Sequence, residues 1–179
     1  MKVLAISPHP DDIELSCGGT IAKLSKKFEV VALVMSHGEK KGDAEVRREE
    51  TRKALTLLGV RTVLFLPFED TRISNGAGTI NAIEKVLHTY NPKIVLIPPT
   101  KDTHQDHRNV SWAAITACRK TPVLLMYESP SVLPEFNPNF FIDISDTIGL
   151  KIEALKEHKS QLENDYMGVS VIQNLSSVR

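Results

Sequence analysis

Five short, continuous apolar segments constrain the fold of this chain more than any other feature of its sequence. None shows the strict alternation of apolar and polar residues that is typical of a strand with one solvated face. Continuous apolar runs of this kind instead predict strands that are buried on both faces of a mainly parallel sheet. The five predicted strands span residues 3–7, 30–35, 63–66, 94–97 and 123–126.

Segments with helical periodicity fill the intervals between these predicted strands. Apolar residues recur there at the spacing of one helix face, and Gly59 follows the second segment as a helix C-cap would. The alternation of strands and helices favours a single three-layer, Rossmann-like α/β domain with a mainly parallel sheet over residues 1–179. The predicted helices cover residues 20–27, 44–58, 80–88 and 110–118, and we expect a further strand at 140–144 and a last helix from about 147 to 163.

The composition is that of an ordinary globular chain, and it narrows the classes of partner. Charged residues make up 25% and apolar residues 41% of the 179 residues, and Lys plus Arg balance Asp plus Glu at 22 each. This balance argues against nucleic acid as a partner, and no apolar stretch reaches the roughly 20 residues of a membrane span. Only Cys17 and Cys118 are cysteines, and the short apolar N-terminus lacks a cleavage motif, so we expect a cytoplasmic protein with reduced thiols.

Motifs rich in histidine and aspartate follow two of the predicted strands. His9, Asp11 and Asp12 come directly after the first strand, and the sequence His-Gln-Asp-His at residues 104–107 follows the fourth. The carboxyl ends of parallel strands meet at one edge of a sheet, where ligands and catalytic groups collect. We therefore expect two loops that are distant in sequence to build one site.

The residue types in these two motifs match the needs of a hydrolytic zinc centre. Such a centre uses about three histidine or carboxylate ligands and leaves one position open for water. His9, Asp12 and His107 supply that ligand set. Asp11 is then available as a general base, and His104 can polarise a substrate carbonyl or protonate a leaving amine.

For other polar residues and glycines, the sequence gives weaker evidence that they belong to the site. Asp106 lies between the two histidines of the second motif and is expected to orient one of the imidazoles. His37 follows the second strand and is a weaker candidate for the pocket, whereas His88 and His158 lie in predicted helices and are interpreted as surface or capping residues. The glycine pair at residues 18–19 is interpreted as a point of close helix packing beside the site.

With these motifs, the chain resembles the PIG-L/LmbE-like family of zinc-dependent N-deacetylases, which act on N-acetylglucosamine-type sugars. Relative to that family the chain ends early, so we expect a short C-terminal part, and Asp102 stands where some relatives have a tyrosine. The two most specific matches are Pro8-His9-Pro10-Asp11-Asp12 and His104-x-Asp106-His107, and the supporting ones are Gly18-Gly19-Thr20, Ser36-His37-Gly38-Glu39, Arg47-x-x-Glu50-x-x-x-Ala54 and His158-Lys159-Ser160-Gln161.

The resemblance implies a reaction, a cofactor and a role for each candidate residue. The expected reaction removes the N-acetyl group from a GlcNAc-type sugar or sugar conjugate, with one Zn²⁺ or another divalent metal per chain, in a homo-oligomer. The implied roles are metal ligation by His9, Asp12 and His107, general base catalysis by Asp11, oxyanion stabilisation by His104, control of the charge state of His104 by Asp106, and contacts to sugar hydroxyls by Arg47 and Asp70.

Less specific interpretations stay open beside this one. On the residues alone, Arg47 belongs to a charged helix of the kind that is ordinarily solvated, and Asp70 is equally well a turn residue. A catalytically silent sugar-binding or assembly protein would have the same fold, because a fold alone guarantees no activity. A hydrolase of another bond, such as a phosphoester, is disfavoured because no second carboxylate-rich ligand group is evident.

Overall fold

The chain folds around one sheet of five parallel strands. The computed structural model describes residues 1–164 and 167–168. Its strands are β1 (Lys2–Ser7), β2 (Glu29–Ser36), β3 (Thr62–Phe68), β4 (Ile94–Ile97) and β5 (Val123–Met126). They lie in the order β3-β2-β1-β4-β5, and every neighbouring pair is parallel. All five predicted strands and the predicted α/β fold class are confirmed.

Helices cover both faces of this sheet. The described part of the chain has five α-helices: α1 (Asp12–Ser25), α2 (Ala44–Leu57), α3 (Ala77–Tyr90), α4 (Gln105–Ala117) and α5 (Ile148–Lys156). α1, α2 and α5 pack over one face, and α3 and α4 pack over the other. Within residues 1–164, no helix is long and apolar enough to cross a membrane.

Consecutive residues of β1 show why the apolar segments are continuous. Val3 and Ala5 pack against the α1, α2 and α5 side, whereas Leu4 and Ile6 pack against the α3 and α4 side. All four side chains are fully buried. A strand turns successive side chains to opposite faces, and both faces of this sheet are covered by helices, so each position must be apolar.

The order of the strands determines where the functional loops lie. The chain passes from β1 to β2 and β3 on one side of the sheet, and it then returns to add β4 and β5 on the other side of β1. The connections that follow β1 and β4 therefore leave the sheet in opposite directions. A crevice opens between such connections at the carboxyl edge of the sheet.

Three segments differ from the sequence-based expectations. α1 begins at Asp12, well before the predicted residue 20. The sequence pattern missed this start because the first turns bury the polar Glu14 and so lack a simple apolar stripe. The predicted strand at 140–144 is wrong: a cavity of about 1360 Å³ is lined by both this segment and β5, so the segment does not pair with the strand. The last helix ends at Lys156, and a short 3-10 helix (Lys159–Gln161) follows.

Candidate metal and active site

The loop after β1 brings three polar side chains to the carboxyl edge of the sheet. Only residues 8–11 connect β1 to α1, so His9, Asp11 and Asp12 stay close to the strand, and all three are buried. Asp11 adopts a left-handed backbone with φ of 91°, a region that aspartate tolerates better than most residues. The backbone N–H of His9 donates a hydrogen bond to Asp12 Oδ2 at 2.9 Å. This short, closed loop fixes the directions of the three side chains.

The loop after β4 supplies the second half of the site. His104 is the N-cap of α4, and its Nδ1 accepts a hydrogen bond from the backbone N–H of Asp106 at 3.2 Å. Because Nδ1 is an acceptor, the neutral ring of His104 carries its proton on Nε2 and offers a donor there. His107 lies in the first turn of α4 and is buried.

The carboxylate of Asp12 joins the two loops. Asp12 Oδ2 lies 3.3 Å from His9 Nδ1, and Asp12 Oδ1 lies 3.3 Å from His107 Nε2. Ligand atoms about 2.0–2.1 Å from a tetrahedral zinc are roughly 3.3–3.4 Å from one another, so these separations suit a divalent ion. Ligand atoms of His9, His104 and His107 also lie within 4.8 Å of one another. The fold thus brings His9 and His107 together with Asp12 between them, while the group of three ligand atoms within 4.8 Å contains His104 in place of Asp12; ligation by His9, Asp12 and His107 stays a prediction.

A further acid, Asp102, lies against His107, although the sequence patterns did not predict a role for it. Asp102 is fully buried, and its Oδ2 lies 2.9 Å from His107 Nδ1. Imidazoles that bind metals usually donate their other N–H to a carboxylate or carbonyl. The sequence signal that could have indicated this contact is that Asp102 is an acid close in sequence to His107, in the loop that follows β4.

Two other acids hold the imidazole of His9. His9 Nε2 lies 3.0 Å from Asp106 Oδ2 and 3.1 Å from Asp70 Oδ1, and these three residues form a second group whose ligand atoms lie within 4.8 Å. Asp106 was expected to orient one of the imidazoles and, by the family resemblance, to control the charge state of His104; its charge acts to raise the pKa of His104, but the imidazole that its carboxylate contacts is that of His9. The reason is that α4 turns this carboxylate toward the loop after β3, where it accepts a hydrogen bond from the backbone N–H of Thr71 at 2.8 Å.

Arg47 is buried beneath Asp11 and is not part of a solvated helix face. Its guanidinium donates to Asp11 Oδ2 at 3.0 Å and to the carbonyl oxygens of Pro10 and Gly38, both at 2.8 Å. Gly38 is required at this point, because its φ is 68° and a Cβ there would lie 2.2 Å from Arg47 Nη1. The arginine therefore ties the loop after β1 to the loop after β2.

The crowding of carboxylates gives the site a strongly negative potential. Burial by itself lowers the pKa of both His9 and His107, but the neighbouring acids outweigh it, so the pKa of His9 is raised well above its ordinary value and that of His107 is raised to about 9. The same negative charge would favour a divalent cation, which would have to displace these protons from the imidazoles. The buried acids at the site are Asp11, Asp12, Asp70, Asp102 and Asp106.

Asp11 and His104 differ from the ligand-like residues in the direction of their shifts. Burial, and next the charge of Asp12, raise the pKa of Asp11 to about 6, although Arg47 acts in the opposite direction. Burial and the positive charges of His9 and His107 lower the pKa of His104. A carboxylate that titrates close to neutrality and a neutral imidazole are the protonation states that general acid–base chemistry requires.

The remaining histidines lie outside this cluster. His37 is half-buried, and its ring meets the ring of Phe65 edge-on with centroids 6.3 Å apart. His88 is exposed on α3, which confirms its interpretation as a surface residue. His158 is not a surface residue, because its side chain is fully buried and its Nε2 lies 3.0 Å from Glu14 Oε1. It does occupy the N-cap position of the 3-10 helix, although its side chain makes no capping hydrogen bond.

Comparison with known proteins identifies the family. The family model described as PIG-L, GlcNAc-PI de-N-acetylase, matches residues 4–118. The uncharacterised deacetylase YaiS of Escherichia coli (strain K12) is 39% identical over 167 residues, which cover 88% of this chain and 90% of that protein. The diacetylchitobiose deacetylase of Thermococcus kodakarensis is 32% identical over 190 residues, covering 92% of this chain and 71% of that protein.

A solved structure shows the same architecture. The crystal structure of a conserved protein from Thermus thermophilus superposes with a TM-score of 0.86 at 28% identity, covering 97% of this chain and 85% of that one. The family match includes the loops after β1 and β4, which carry the cluster of histidines and aspartates. The chain therefore belongs to the PIG-L family.

Proposed function

We propose that this protein is a metal-dependent N-deacetylase, which removes the acetyl group from the amide nitrogen of a GlcNAc-type sugar or sugar conjugate. The observation that carries the proposal is the carboxylate of Asp12, whose two oxygens each lie 3.3 Å from a ring nitrogen of His9 or His107. The names of the relatives support a deacetylase, and the family description and the Thermococcus protein support an N-acetylated sugar as substrate.

His9, Asp12 and His107 would hold the metal through nitrogen and oxygen atoms. This mixed donor set suits Zn²⁺, and iron, manganese or cobalt can occupy the same type of site. When bound, the ion lowers the pKa of a coordinated water to about 7 and polarises a substrate carbonyl. The protein residues around it then have to move protons and to stabilise charge.

Asp11 is the proposed general base. Its raised pKa, about 6, lets it accept a proton from the attacking water at neutral pH and later release that proton. The water oxygen bonds to the acetyl carbon, the C–N bond breaks, and the proton held by Asp11 passes to the departing amine nitrogen. Arg47 fixes the carboxylate of Asp11 for this task through its contact with Oδ2 at 3.0 Å.

His104 is the proposed donor to the oxyanion. Its Nδ1 is occupied by the backbone N–H of Asp106, so the proton of the neutral ring is on Nε2, free to donate to an oxygen that gains negative charge. The proposed roles of Asp70 and Arg47 in binding sugar hydroxyls stay predictions, because in this structure both side chains are buried and contact protein groups. The homo-oligomeric state and the cytoplasmic location also stay predictions.

The decisive experiment measures acetate release from a panel of N-acetylglucosamine derivatives by the zinc-loaded protein. Asp11→Asn at equal metal loading should lower the rate by about 100- to 10,000-fold, the usual contribution of a general base. Asp146→Asn is the matched control, since Asp146 is an exposed acid that forms ion pairs with Lys23 and Lys26. No release by the wild type from any derivative, or full activity of Asp11→Asn, would overturn the proposal.

A further inference from the structure

We infer that Asp102 is a positioning residue for the metal centre, which holds His107 with its Nε2 directed at Asp12. The inference rests on the proposed function, because it assumes that His107 is a metal ligand. Asp102 Oδ2 lies 2.9 Å from His107 Nδ1, while His107 Nε2 lies 3.3 Å from Asp12 Oδ1. The ring of His107 thus spans the distance from Asp102 to the proposed metal position.

The protonation of the ring follows from the chemistry of its partner. An ionised carboxylate can only accept hydrogen bonds, so Nδ1 of His107 must carry the hydrogen in this contact. Both oxygens of Asp102 accept hydrogen bonds from other donors, Oδ1 from the backbone N–H of His104 and Oδ2 from the hydroxyl of Ser129, so this side chain is placed as an acceptor. In a neutral ring with hydrogen on Nδ1, the lone pair lies on Nε2, which is the atom that faces Asp12.

Asp102 is itself held in place from several directions. Oδ1 accepts hydrogen bonds from the backbone N–H of His104 at 2.7 Å and from Ser131 Oγ at 2.8 Å. Oδ2, the atom that meets His107, also accepts a hydrogen bond from Ser129 Oγ. The serines lie in the loop after β5, and this loop pairs with the loop after β4 through a bridge between Asp102 and Val132. A fully buried acid with four donors has little freedom to move.

The two oxygens of Asp102 contact different groups. A role in orienting the ring of His107 can therefore be distinguished from a role in supporting the loop. Oδ1 contacts backbone and hydroxyl donors of the loops, whereas Oδ2 contacts the imidazole. Asparagine cannot replace the acid, because it offers one oxygen where both sides of Asp102 face N–H donors. An asparagine NH₂ turned toward His107 would favour the opposite tautomer, with hydrogen on Nε2, where the metal should bind.

The test is a titration of the metal-free protein with Co²⁺, followed by visible absorption. Loss of a carboxylate behind a metal-binding imidazole typically weakens metal affinity by about 10- to 100-fold. We expect that loss in both Asp102→Ala and Asp102→Asn, with an altered absorption band. Ser131→Ala is the matched control, since the Ser131 hydroxyl donates to Oδ1 and does not contact Oδ2; its other contact is a long one of 3.4 Å to Ser129 Oγ. The Co²⁺ affinity of this variant should stay within about 3-fold of the wild type. Thermal unfolding of each metal-free variant reports its folding separately.

The outcomes distinguish this inference from the proposed function. Wild-type protein that binds no Co²⁺ would overturn the metal site and, with it, the role of Asp102. Wild-type binding together with unchanged affinity and spectrum in both folded Asp102 variants would overturn the positioning role alone. Should the variants not fold, nitrogen NMR of the ¹¹³Cd-loaded wild type decides: cadmium coupling at His107 Nε2 and a proton on Nδ1 are expected, and coupling at Nδ1 would overturn the inference.

Discussion

Removal of the guanidinium of Arg47 should destabilise the protein far more than removal of an exposed arginine. Arg47 is 3% exposed and donates to Asp11 Oδ2 and to two buried backbone carbonyls, of Pro10 and Gly38. In Arg47→Met, the carboxylate of Asp11 and the carbonyl of Pro10 would lose this donor, whereas the carbonyl of Gly38 would keep the backbone N–H of Lys41 at 3.1 Å. Each orphaned buried group costs about 1–3 kcal/mol, and loss of one partner of a buried ion pair costs about 3–5 kcal/mol in total. Because these costs overlap, we expect the free energy of unfolding to fall by about 3–5 kcal/mol.

Urea denaturation of the metal-free wild type and Arg47→Met measures this difference. The control is Arg119→Met, since Arg119 is exposed and pairs with the half-buried Glu84 at 2.9 Å, and it should cost less than about 1 kcal/mol. A loss below about 1 kcal/mol in Arg47→Met would refute the reasoning. Combined with Asp11→Asn, Arg47→Met should cost less than the sum of the two single changes by about 0.5–3 kcal/mol, because the two side chains are in contact.

Two further predictions concern stability away from the metal ligands. Gly19→Ala should destabilise the fold by about 1–3 kcal/mol in urea denaturation, since a Cβ there would lie 2.7 Å from Ile144 Cδ1. Gly78→Ala in α3 should instead stabilise the fold by about 0.4–1 kcal/mol, because no described atom lies within 4 Å of the added Cβ. Burial lowers the pKa of His158, but Glu14 outweighs it and raises the pKa above the ordinary 6.5. The stabilisation from protonated His158 is therefore complete below about pH 6.5 and lost as the pH rises through the raised folded-state value. Wild type should exceed His158→Gln in unfolding free energy by more at pH 6 than at pH 9, and an equal difference at both pH values would contradict this assignment.

The apolar pattern was sufficient to predict the sheet because both faces of each strand are covered. Residues such as Leu4 and Ala5 face opposite helical layers and must both be apolar, so the continuous runs were visible in the sequence. The start of α1 was not predictable from the same pattern, because Asp12 and Glu14 are polar yet buried in its first turns. Residues 140–144 have the composition of a strand but lie across a cavity from β5, and pairing with a distant strand is not encoded locally.

Residue types and their positions after the strands were enough to predict the main side chains of the candidate site. His9, Asp12 and His107 follow strands whose carboxyl ends meet in any sheet of this kind, so their types and positions were enough to predict one shared site. Which acid contacts which imidazole follows from the three-dimensional arrangement alone: Asp102 contacts His107, and Asp106 contacts His9. These partners are set by the angles at which the loops and α4 leave the sheet, to within a few ångströms. Hydrogen bonds depend on such distances and angles, and the spacing of residues along the chain does not specify them.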